Sequence, residues 1–235
     1  MLVVPGDSEN SAVVLFPSSP SARLVSSRAL TLFNTAGDSI GARLAMTPAD
    51  AQVCGDAPIV HMRDVVRVPW SVGLLGRSVT ALKLDSIEAM SPADSARLAA
   101  DLSRLASAIA LEPSSRFQGL PFAVLTARRA SVDGKDIVLA HLVRRVNQEA
   151  SPMEEHTLVI AERAKAGEAP TLAFSQRSQG KEETAEHFEI LAVERGPHSV
   201  LALIARDQES QTRYELLERS QDGTWRVRWN RTLTC

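Results

Sequence analysis

Over the first ninety residues the hydrophobic positions come in short runs separated by turn formers. Residues 12–16 (AVVLF) run into Pro17-Ser18-Ser19-Pro20, and residues 29–33 are parted from 40–46 by Asn34-Thr35-Ala36-Gly37-Asp38. The runs at 58–62, 65–68 and 79–84 continue the pattern. Short apolar runs bounded by Gly, Pro, Asn and Ser predict strands and turns, not helices.

The period then changes. Ser91 is a good N-cap, Pro92 follows where its missing N–H costs nothing, and Asp94 completes an approximate capping box. Leu98, Leu102, Leu105 and Ile109 share one face, so the spacing predicts an amphipathic helix over 91–111, stopped by Glu112-Pro113-Ser114-Ser115. From Leu120 the period is two, which predicts strands near 122–130, 136–146, 157–163, 171–177, 186–195, 199–206, 212–219 and 224–229. Asp133-Gly134, Gly196-Pro197 and Asp222-Gly223 supply turn chemistry between them.

These elements imply an α+β fold, mainly antiparallel β, with a C-terminal up-and-down meander of about eight strands packed on one amphipathic helix. The chain divides into a strand-rich part (1–90), a helix with its connector (91–119) and the meander (120–235). Whether these form one core or two stays open, because the charge is spread evenly over both halves. A strongly twisted meander of this length can also curl towards a barrel.

Composition narrows the function classes. The 235 residues carry 26 basic and 28 acidic side chains, a net charge of −2, with no basic face to clamp nucleic acid. Six Phe, three Trp and one Tyr are too few for a base-stacking platform, so no nucleic-acid partner is expected. No apolar window is long enough for a transmembrane helix, and residues 1–5 (MLVVP) do not resemble a signal peptide.

The two cysteines are Cys54, in a turn-like stretch, and Cys235, the last residue. Neither sits in a metal-ligand or redox spacing. Their pairing would close a loop of about 180 residues, worth roughly 5 kcal/mol in the chain-entropy model. The sequence favours that pairing over two independent thiols, which implies an extracytoplasmic home; unpaired, they imply a cytoplasmic one.

Nucleophile elbows, phosphate loops, dinucleotide fingerprints, zinc-protease motifs and EF-hands are all missing, so no cofactor is expected. What chemistry there is collects where alternate loops of the meander meet at one edge: Arg144, Arg145, Glu154, Glu155, His156, Glu183, Glu186 and His187. In a continuous sheet His156 and His187 would begin strands two apart, with backbones about 10 Å from one another. Three readings are open for this edge. A solvated rim of Arg–Glu pairs is favoured, since loops gather charge with or without function. A binding surface for a protein or small molecule comes next, and a metal or acid–base site built on the two histidines third. His141, between Ala140 and Leu142, reads as a buried neutral imidazole with one hydrogen-bond partner. The sequence thus points to a non-catalytic binding module, with a metal-dependent or acid–base enzyme at the His156/His187 edge as the alternative.

Overall fold

The computed structural model describes residues 2–6, 10–15, 29–45, 53–55, 57–63, 66–75, 79–112, 114–147, 152–165 and 168–234. The short apolar runs of the first part form β1 (Leu2–Pro5), β2 (Ser11–Leu15), β3 (Ala29–Phe33), β4 (Ser39–Ala45), β5 (Val53–Cys54), β6 (Ala57–Met62) and β7 (Val72–Leu75). Their order is β2-β1-β7-β3-β4-β6, and β2 also pairs with β6, so six antiparallel strands close into a ring to which β5 is added. Val3, Val14, Leu30, Leu32, Leu44 and Val60 fill the interior. The alternate residues Val4, Val13, Phe33, Val72 and Leu74 point outward and are also buried, because another sheet covers them.

Two very short strands, β8 (Thr80–Ala81) and β9 (Asp85–Ser86), leave the ring and join the edges of two separate sheets. The helix α1 (Pro92–Ser107) follows. Ser91 Oγ accepts the Asp94 amide at 3.2 Å and donates to its carboxylate at 2.7 Å, and Leu98, Leu102 and Ala106 form the buried stripe. The helix stops one turn before the point the periodicity predicts. There the chain tightens into three-residue turns, Ala108 N–H to the Leu105 carbonyl and Ile109 N–H to that of Ala106, and the Arg177 guanidinium, from a strand of the following sheet, donates to the Ile109 and Ala110 carbonyls.

The eight predicted strands are present as β10 (Ala123–Val132), β11 (Lys135–Val146), β12 (Met153–Arg163), β13 (Thr171–Lys181), β14 (His187–Arg195), β15 (Val200–Gln208), β16 (Gln211–Arg219) and β17 (Trp225–Thr234). Asp133 (φ 51°) and Gly134 (φ 77°) make the two-residue turn between β10 and β11, both in the left-handed region that such hairpins need. The meander does not remain one sheet. It divides between β13 and β14 into sheets ordered β13-β12-β11-β10-β9 and β17-β16-β15-β14-β8.

The two sheets pack face to face around Leu139, Leu158, Ile160, Ile190, Ile204 and Leu217. The outer face of the first holds α1 through Ala127, Val138, Ala140, Leu142 and Val159, as the need to cover that face predicts. The outer face of the second rests on the strand ring through Leu191, Leu203, Ala205 and Leu233. The layers therefore run helix, sheet, sheet, ring. Among the described residues no helix is long and apolar enough to cross a membrane.

Candidate metal centre

β12 starts at Met153, four residues earlier than its apolar pattern suggests, since Met153 pairs with both Val146 and Lys181. Glu154, Glu155 and His156 are thereby strand residues inside a sheet, each at most 3% exposed, rather than members of a solvated loop. Alternation sends them to opposite faces. His141 and Arg145 on β11 follow Ile137 and Leu139 towards the second sheet, as do Glu154 and His156 ahead of Leu158 and Ile160. Arg144 and Glu155, a cross-strand pair, face the helix.

The division of the meander supplies the third histidine. His187 opens β14 in the facing sheet, not two strands along the same one, and its ring centroid lies 4.2 Å from that of His156 and 6.2 Å from that of His141. The nearest ligand atoms of the three rings fall within 4.8 Å of one another. His141 and His156 are buried and His187 is exposed, so the cluster opens on one side.

Hydrogen bonds orient the two buried rings. His141 Nε2 faces His156 Nδ1 at 2.7 Å, and His156 Nε2 lies 2.6 Å from Glu154 Oε2. Since the Glu154 carboxylate only accepts, His156 carries its proton on Nε2 and turns a bare Nδ1 inward. The main chain at Phe188 forms a hydrogen bond that favours protonated His141. In the metal-free protein the 2.7 Å contact therefore has His141 Nε2–H donating to His156 Nδ1, a proton that a metal ion would displace.

Burial pushes His141 down to about 3, helped by the neighbouring His156 and His187, and burial likewise lowers His156 against the pull of Glu154. Both rings are neutral at physiological pH and free to act as Lewis bases. Burial alone would raise Glu154, but its bonds from Arg145 and His156 outweigh that and hold the carboxyl below its ordinary value.

A second network holds the segment that carries His187. Arg206 pairs with Glu186 and, at 3.1 Å, with Glu215, and its guanidinium lies 5.1 Å from the centre of the Phe188 ring. Gln176 donates to the other Glu215 oxygen at 2.7 Å, bridging the two sheets. Phe188 stands edge-on to His141, its ring centroid 5.6 Å away.

Of the sequence-selected residues, His156, His187, Glu154 and Arg145 come together, Glu186 braces them through Arg206, Arg144 and Glu155 lie behind the sheet, and Glu183 is exposed on the turn after β13. His141, read as structural, is the missed member. Its only sequence signal is parity: in a hairpin of this register it falls on the face of His156, but the long connection after Asn147 leaves the register undetermined. Cys235 and the Cys54 side chain lie outside the described residues. No family model, curated protein or solved structure matches this chain.

Proposed function

We propose that the protein is a metal-binding module that takes one divalent transition ion, of the zinc class, on His141, His156 and His187. The observation that carries this reading is the convergence of three imidazoles, two of them buried and neutral, whose ligand atoms lie within 4.8 Å of one another, with the outer N–H of His156 held by Glu154. Carboxylate–histidine pairs of this kind orient metal ligands and raise their basicity. Three neutral imidazoles suit zinc, copper, nickel or iron better than calcium or magnesium. With metal–nitrogen bonds near 2.0–2.1 Å, tetrahedral ligands stand about 3.3 Å apart. Loading would therefore displace the proton between His141 and His156 and part the two rings slightly.

The test is native mass spectrometry and zinc titration of chelator-stripped protein, beside His187→Ala. One ion per chain is expected, with affinity in the variant down by about tenfold or more and the melting point of the metal-free variant unchanged, because His187 is exposed. A folded wild type that takes up no ion would leave a shared proton between His141 and His156 as the sole role of the pair, and the reading would fall. The exposure of His187 also supports the alternative of a metal-dependent enzyme, which turnover of a p-nitrophenyl ester by loaded but not stripped protein would establish.

The Cys54–Cys235 disulfide belongs to the same proposal. Gly55 next to the first cysteine comes against Thr234 next to the second: a methyl group at Gly55 would lie 3.5 Å from the Thr234 carbonyl oxygen. An intact mass lower than the reduced mass by the two thiol hydrogens, in unreduced protein, is the expected result and supports an extracytoplasmic location.

A further inference from the structure

The opposite face of the first sheet carries a second buried polar cluster, beside a cavity of about 400 Å³ between the end of α1 and the 118–121 turn. We propose that this cavity is a binding site for a small monoanion with an apolar body, a carboxylate anchored by Arg144. Ala108, Leu111, Leu120 and Pro121 supply apolar lining, and Arg144 reaches the same space.

The charge arithmetic leaves a surplus at that point. Glu155 is fully buried, accepts the Gln179 amide, and has Arg144 Nη2 at 2.7 Å and Arg177 Nε at 3.3 Å as ion-pair neighbours. Two guanidinium groups therefore share one carboxylate. Arg177 spends its other nitrogens on the Ile109 and Ala110 carbonyls at the end of the helix. Arg144 does not: its Nε has no hydrogen-bond acceptor among the described residues, and its contact with Glu155 is a close ion pair outside hydrogen-bond angles. Its side chain is 3% exposed and stacks 4.5 Å from the Phe122 ring centre and 5.6 Å from that of Phe117.

A buried guanidinium whose Nε lacks an acceptor, and which shares its one carboxylate with a second arginine, is matched by a further carboxylate. One surplus charge is matched by a monoanion rather than a phosphate dianion. Glu112, also in the lining, is exposed and screened by water, so it does not cancel the buried charge. This site lies behind the sheet from the histidines and stands independently of the metal reading.

Octanoate is the probe, with octan-1-ol as its uncharged counterpart and inorganic phosphate as a headgroup control, each titrated calorimetrically into the full chain. Octanoate is expected to bind, with octanol and phosphate weaker by about tenfold or more. Two variants locate it. Arg144→Gln removes the anchor, and Ala108→Trp fills the cavity from an exposed wall position while leaving the Arg144–Glu155 network in place. Each is expected to weaken octanoate by about tenfold or more. Folded wild type that ignores octanoate, equal binding of octanol, or wild-type affinity in folded Ala108→Trp overturns the proposal, whatever becomes of Arg144→Gln.

Discussion

The run Glu154-Glu155-His156 shows how much one residue of alternation decides. Glu154 and His156 enter the space between the sheets and meet His141 and Arg145, while Glu155 turns the other way to Arg144 and Arg177. Adjacent carboxylates should therefore fail differently. Glu154→Gln keeps the shape but not the charge that orients His156, and is expected to lower zinc affinity by about 10–100-fold with the fold intact, as read by chelator competition. Glu155→Ala leaves the buried Arg144 guanidinium, and the partly buried one of Arg177, without their carboxylate and should cost about 3–5 kcal/mol in urea unfolding. Glu183→Ala, on an exposed turn, should stay within about 0.5 kcal/mol of wild type in the same assay. The residue types were legible in the sequence. Their faces were not, because alternation assigns a side only once the strand's start and register are known.

At the scale of elements, local chemistry was the more readable part. Ser91, Pro92 and Asp94 cap α1 as their spacing predicts, and Ser91→Ala should cost about 1 kcal/mol of stability. The strand ring depends on a feature that no local signal marks. A methyl group at Gly73 would meet Val3 Cγ2 at 2.6 Å and Leu32 Cδ2 at 2.7 Å, so β7 passes the ring interior only without a side chain there. Gly73→Ala is expected to lose about 1–3 kcal/mol by overpacking, measured as a lower urea midpoint with unchanged slope. Where element ends differ from expectation, a partner from elsewhere meets the chain, as with Arg177 on the carbonyls just past α1 and the double pairing at Met153 that lengthens β12.

For the whole molecule, the decisive event is the crossing between β13 and β14. The Thr184 and Ala185 amides both bond back to the Lys181 carbonyl at 2.9 Å, Ala185 is buried, and Gly180 packs so closely on Thr184 that a Cβ would stand 3.0 Å from its hydroxyl. This compact turn lifts the chain onto the facing sheet instead of returning it alongside β13. At the other end a clasp holds the two sheets together. Glu162 of β12 takes Arg219 at 2.6 and 2.8 Å and the Trp225 indole N–H at 2.7 Å. Burial pushes the Glu162 carboxyl up, but those bonds outweigh it and leave it below its ordinary value of 4.5. A carboxyl lowered by folding contributes its full stability above that ordinary value and loses it as pH falls through the lowered one. Glu162→Gln should thus be about 1–3 kcal/mol less stable than wild type at pH 7, with the gap closing in acid, as read by urea unfolding at stepped pH.

The sequence by itself determined the element types, the turn at Asp133-Gly134, the capped helix and the antiparallel, mainly β character, because period, caps and turn residues act over a few neighbours. It also singled out His156 and His187. Only the tertiary structure decided that the meander divides, that the strand ring closes through β2 and β6, and that His141 joins the other two histidines. Those are outcomes of packing. Apolar alternation specifies that a face must be covered, while which surface covers it is settled by long-range burial that no short window of sequence encodes.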